Sequence, residues 1–182
     1  MAADEDAAVV ETFTGGRFRP FDPAPEDVHL ADIAGGLAHI CRFGGHCRPF
    51  YSVARHSLYV SEELADQPTR VQAYGLLHDA GEAYLGDVPR PIKLQLDGFE
   101  QAEDAILSAV WHAFDLPPPT DEEWETVMAA DDRLLAYEAD ELLEDGSWAP
   151  APPDREYDLR AGSVETTRER FRERAESLLA DW

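Results

Sequence analysis

Lysine is nearly absent from this sequence: Lys93 is the only one, and the other 14 basic residues are arginines. Set against 38 acidic residues they leave a formal charge of -23. The chain therefore lacks the basic stripe that a polyanion requires, and no duplex nucleic acid is expected as a partner. The acids are spread along the whole chain and not gathered on one docking face. Such a surface is expected of a halophilic protein, where counter-ions screen self-repulsion within roughly 3 Å at 1 M salt. Cysteine is scarce too. Cys41 and Cys47 are too few for a disulfide framework, and a lone C-x5-C is a poor zinc template, so both read as reduced packing residues. No window approaches the roughly 18 uninterrupted apolar residues of a membrane span. The start, MAADEDAAVV, is acidic where a secretory signal would be basic, so a cytoplasmic location is expected. Strand patterns are confined to ETFTGGRFRPF, which predicts a short hairpin turning at Gly15-Gly16.

What remains is helical periodicity. The 182 residues suit one domain, read as a disordered acidic lead over 1–10 followed by an all-α domain over 11–182. A first helix runs from Asp27 through Leu30, Ile33, Leu37 and Ile40 and delivers the polar segment Arg42-Phe43-Gly44-Gly45-His46. Ser52 caps a second helix to about Ala65, with Val53, His56, Val60 and Leu64 on one stripe, so His56 points inward. A third spans about Thr69 to Leu85, and Gly86, Pro89 and Pro91 stop it and hold the next loop in one shape. A fourth covers Phe99 to Phe114. A fifth follows the cap Thr120 or Asp121 through Leu142, and Ser163 opens the last, over about 163–180. Phe171, Leu178 and Trp182 form an apolar stripe on that last helix, which could pack internally or pair two chains as a homodimer.

The chemistry-bearing stretch is Gly75 to Lys93, GLLHDAGEAYLGDVPRPIK. His78 and Asp79 sit together near a helix end, and Glu82 projects from the same face at i+4 and i+3. Imidazole beside carboxylate suits a borderline divalent metal, although the same pair also arises as a helix-surface hydrogen bond. His56 adds an inward imidazole. Asp131 and Asp132, mid-helix beside Leu134 and Leu135, require either solvent or coordination, since a buried, unpartnered carboxylate costs several kcal/mol. His29 and His112 read as surface residues. His46 reads equally as a solvated loop residue or a substrate contact.

A distant His, an adjacent His-Asp and a later Asp resemble the signature of the HD-domain metal-dependent phosphohydrolases. The likeness is greatest to the compact 5'-deoxynucleotidases and phage-type deoxynucleoside triphosphohydrolases. It is carried by Ile40-Cys41-Arg42-Phe43, Tyr51 to Ser57, Leu77 to Ala83, Gly86 to Lys93 and Ala130 to Tyr137, within a metal-site core over 27–143. The resemblance implies metal ligation by His56, His78, Asp79 and Asp132, the last chosen over Asp131 by its offset of five from Tyr137. It also implies catalytic roles for Glu82 and Asp87, and substrate contacts from Arg42 and from Phe43, which stands where the family often has a tryptophan. Lys93, in the pinned loop, would offset charge on the transferring phosphate. The expected cofactor is a divalent ion (Mn, Co, Fe, Zn, Ni or Mg), and the expected partner is a small nucleotide, with no membrane. Hydrolysis of another phosphate ester or a cyclic nucleotide, or nucleotide or metal sensing without turnover, would use the same ligands. Glu82 with Asp87 favours an enzyme, because a binder needs no positioned acid/base.

Overall fold

The computed structural model describes residues 8–146, 148–149 and 155–180. Of the predicted acidic lead, residues 1–7 lie outside these. Val10 is already paired in a strand, so regular structure begins before the expected boundary. Strand β1, Val10–Glu11, pairs antiparallel with β2, Arg17–Phe18. The turn between them is closed by Thr12 N–H to Gly16 O at 2.9 Å, with Gly15 at φ +85° as the hairpin expectation requires.

The rest is helical: α1 Leu30–His39, α2 Val53–Glu63, α3 Thr69–Leu77, α4 Glu82–Leu85, α5 Arg90–Lys93, α6 Phe99–Ala113, α7 Asp121–Leu142 and α8 Val164–Leu179. The predicted starts are capped. Ser52 accepts from Arg55 N–H, Ser163 accepts from Thr166 N–H, and Thr120 with Glu123 forms a reciprocal capping box. The apolar stripes meet in one core in which Ile33, Leu37, Val53, Val60, Leu77, Ile106, Leu134 and Phe171 are fully buried. Helix α8 packs across α1, α2 and α3, and α7 lies against α2 and α3. Among the described residues no helix is long and apolar enough to cross a membrane.

Three expectations need correction. The first helix begins at Leu30, preceded by a separate 3-10 turn over Pro25–Asp27. The third does not run to Leu85. It ends at Leu77, where tight turns take over, with Ala80 N–H to Leu77 O and Glu82 N–H to Asp79 O both 2.9 Å. The His78 ring bonds Gly75 O at 2.8 Å there, and α4 restarts from Glu82. The proline-pinned loop contains the one-turn helix α5, since Pro91 in its first turn costs no hydrogen bond. On α8, Phe171 and Leu178 take the internal one of the two placements open to that stripe, while Trp182 lies outside the described residues.

The hairpin and α1 hold α4 in place. Phe18 stacks on Tyr84 with ring centroids 3.7 Å apart. A Cβ at Gly36 would meet Ala83 O at 2.9 Å, so only glycine lets α1 approach α4 this closely. Glu82 opens that short helix.

Candidate metal centre

Helices α2 and α7 and the turn after α3 converge on one buried point. His56 is fully buried on α2, His78 nearly so at the α3 end, and Asp79 follows it in the turn. One ligand atom from each of these three lies within 4.8 Å of the others. His56 Nε2 is 3.4 Å from His78 Nε2 and 3.6 Å from Asp79 Oδ2, and His78 Nε2 is 3.2 Å from Asp79 Oδ2. Asp131 Oδ1, from α7, is 2.9 Å from His56 Nε2 and 3.8 Å from His78 Nε2. Around an ion with ligand bonds near 2.1 Å, neighbouring donors stand about 3.0 Å apart in an octahedron and about 3.4 Å in a tetrahedron. The observed spacings bracket both, so His56, His78 and Asp79 fit a divalent transition metal in distance and in donor chemistry, with the Asp131 carboxylate against both imidazoles.

Asp131, and not Asp132, faces the histidines. Asp132, the expected ligand, is exposed on the outer side of α7, and the carboxylate that meets the histidines stands one residue before it. Adjacent helical residues point about 100° apart, and the stripe buried by α7 through Val127, Leu134 and Glu138 passes through position 131.

The charges are mutually supporting. Burial opposes protonation of His78, but Asp79 and Asp131 outweigh it and hold its pKa well above the ordinary 6.5. For His56, burial and Arg42 oppose protonation and Glu138 and Asp131 prevail, again raising the pKa. Burial likewise opposes ionisation of Asp79 and Asp131, yet the two imidazoles hold both carboxyls below the usual range. Protons and a metal ion therefore compete for the same four groups.

Glu82 stands beside this cluster, 5 % exposed, with Oε2 buried and without a hydrogen-bond partner. Burial first, then Asp79 and Asp87, raise its pKa well above 4.5, partly offset by Lys93 and Arg42. Such a carboxyl is suited to proton transfer near neutral pH. Lys93 Nζ lies 3.3 Å from Glu82 Oε1 and 2.6 Å from Glu103 Oε1. Asp87 is half-buried and accepts from Gly44 N–H at 3.3 Å, tying the 86–89 segment to the 42–46 loop. In that loop Phe43, Gly44 and Gly45 are all left-handed, with φ +58°, +59° and +83°. For Phe43 this is a sparsely populated conformation, held beneath the Arg42 guanidinium 5.5 Å from its ring centroid.

Arg42 is buried, not reaching outward, with Nη1 3.5 Å from Asp79 Oδ2 and Nη2 3.1 Å from Glu138 Oε2. Its Nε has no partner. His46 is exposed. Sequence reasoning missed Glu138, fully buried between His56, Tyr51 and Arg42, and Glu103, the second partner of Lys93. Glu138 was within reach of periodicity, since it follows Asp131 by seven residues, two turns along one face. Glu103 carries no local signal, because α6 meets Lys93 only through the fold.

No family model matches the chain. Over 142 residues, 78% of this chain and 76% of the relative, it is 38% identical to uncharacterized protein YfdR of Escherichia coli strain K12. The chain belongs to the YfdR family. A second relative, uncharacterized protein RCAP_rcc00048 of Rhodobacter capsulatus, is 39% identical over 111 residues, 57% of each chain.

Proposed function

We propose that this YfdR-family chain is an HD-type, metal-dependent phosphohydrolase that hydrolyses the phosphate of a (deoxy)nucleotide in a salt-rich cytoplasm. The observation that carries the reading is the convergence of His56, His78, Asp79 and Asp131 beside Glu82, whose buried Oε2 has no partner. A divalent ion held by the four ligands, Mn, Co, Fe, Zn, Ni or Mg, would supply an acidified water and offset phosphoryl charge. Glu82 accepts the proton of the attacking water as the P–O bond to the leaving group breaks, and the proton can return to the departing oxygen. Lys93 is placed to meet phosphate oxygens, with Glu103 holding its ammonium at the site edge. Arg42 braces Asp79 from behind. Asp87 fixes the loop carrying Phe43 and His46, the candidate nucleoside contacts.

The test is release of phosphate, pyrophosphate or triphosphate from nucleoside mono- and triphosphates in molar KCl, with Mn, Co, Mg and Zn compared. Turnover that is lost in Glu82→Ala while Mn still binds is the expected outcome. If no metal or nucleotide gives turnover, yet His56→Ala abolishes metal binding, the chain is a sensor and the hydrolase reading fails.

A further inference from the structure

Glu138 is buried completely and has no part in the chemistry above, yet it faces three groups at once. Its Oε1 is 2.7 Å from His56 Nδ1 and accepts from Tyr51 Oη at 2.7 Å, and its Oε2 forms an ion pair with Arg42 Nη2 at 3.1 Å without accepting a hydrogen bond. We infer that Glu138 is a positioning residue: it fixes His56 as the Nδ1–H tautomer, freeing Nε2 for the metal, and with its other oxygen it anchors Arg42 beside Asp79. The inference rests on the metal centre proposed above, though its tautomer component can be read without metal.

The reasoning is one of donor and acceptor supply. His56 Nε2 is directed at His78, Asp79 and Asp131 and ligates only if it carries no proton. Its remaining proton must then sit on Nδ1, where Glu138 Oε1 is the facing acceptor. The opposite end of the same carboxyl faces a guanidinium, which can only donate. A carboxylate presents acceptors at both ends, whereas a glutamine presents one. In Glu138→Gln either an NH2 group meets Arg42, or it meets His56 Nδ1 and drives the imidazole to the Nε2–H form, which cannot ligate. Tyr51 shares Oε1 but can turn its hydroxyl, so it is dispensable in this scheme.

The experiment uses the full chain and Mn2+ and Zn2+ as probes. In wild type, nitrogen-15 NMR of His56 at a pH where the ring is neutral is expected to show the Nδ1–H tautomer, and Zn2+ binding to preserve it. Glu138→Gln is expected to lose 10- to 100-fold in Mn2+ affinity by chelator competition and to show either the Nε2–H tautomer or loss of the Arg42 guanidinium's slowed exchange. Tyr51→Phe, with the carboxylate intact, is expected to stay within about threefold of wild type. Should Glu138→Gln fail to fold, Glu138→Asp, which keeps two acceptors, is expected to retain the wild-type tautomer with a smaller loss of affinity. An Nε2–H tautomer in wild type overturns the assignment, as does a Glu138→Gln protein that keeps both wild-type Mn2+ affinity and the Nδ1–H form. If wild type binds no metal, the metal-centre reading falls, while the tautomer measurement still decides the role of Glu138.

Discussion

Asp131→Asn and Asp132→Asn differ by one position and test the centre most directly. Asp131 Oδ1 is 2.9 Å from His56 Nε2, and its side chain is 18 % exposed, so solvent screens it little. Asparagine keeps the shape and removes the charge. A hydrogen bond to a charged group contributes about 1.5–3 kcal/mol, and at about 1.4 kcal/mol per tenfold metal affinity should fall about 10- to 150-fold. Asp132 is exposed, and its replacement should change stability by no more than about 0.5 kcal/mol and metal affinity negligibly. Chelator competition with Mn2+ at fixed KCl gives the affinities. Urea midpoints of the metal-free proteins give the second readout, and the sign of its pH dependence is fixed. His56 and His78 have folded pKa values above their unfolded ones. Their contribution is therefore complete below about pH 6.5 and is lost as pH rises through the folded values. Wild-type metal-free protein should weaken over that rise, and Asp131→Asn should flatten it. Equal affinity losses in the two variants, or a loss confined to Asp132→Asn, would refute the assignment.

Glu82→Gln should lower turnover by about 10²–10⁴-fold. It should also raise the melting midpoint above pH 7, because the wild-type folded state favours a protonated Glu82 and loses that contribution as pH climbs from 4.5 through the raised value; a thermal scan against pH, paired with phosphate release, reads both. Arg55→Met should cost about 3 kcal/mol or more in urea unfolding, since Arg55 donates to Leu159 O, Gly162 O and Thr167 Oγ1 at 3.0–3.1 Å, but leave Mn2+ affinity within twofold. Raising KCl from 0.1 to 1 M shrinks the screening length from about 10 to about 3 Å and should raise the melting midpoint of this chain of charge -23. A flat or falling midpoint would contradict the salt-adapted reading.

The sequence made legible what helical periodicity controls. His56 lies on the stripe of Val53 and Val60, and burial of that stripe carried the imidazole inward. Caps at Ser52, Thr120 and Ser163 announced three helix starts because the groups that satisfy the first turn are local. The choice between Asp131 and Asp132 went astray because a motif offset from Tyr137 was weighed above the periodicity of α7, whose buried Val127, Leu134 and Glu138 select position 131. The break after Leu77 had no such signal. Gly75 stands two residues before it, but a glycine within a helical pattern does not by itself mark a stop, and the His78 ring on Gly75 O belongs to a turn selected by the surrounding core. That the Lys93 ammonium spans Glu82 and Glu103 depends on how α6 docks against the pinned loop, which no local pattern announces although Glu103 follows by only ten residues.

The electrostatics of the centre set an order of events for the proposed reaction. Among the described residues Asp79, Glu82, Asp87, Glu103, Asp131 and Glu138 surround the site, and the groups that oppose them, Arg42, Lys93 and the His56 and His78 imidazoles, are each already engaged by carboxylates. A phosphate approaching the metal-free site meets net negative charge. At 4 Å and an effective dielectric near 20, one unit pair amounts to about 4 kcal/mol, so a bound dication would reverse a balance that cations already paired with carboxylates leave negative. In the proposed reaction phosphate would therefore bind after the metal. Once there, phosphate oxygens compete with Glu82 for Lys93, the cation that lowers the Glu82 pKa. Drawing that ammonium toward the substrate leaves Glu82 more basic. In the proposed reaction the contact that neutralises the phosphate would thus strengthen the group that takes the proton from the attacking water.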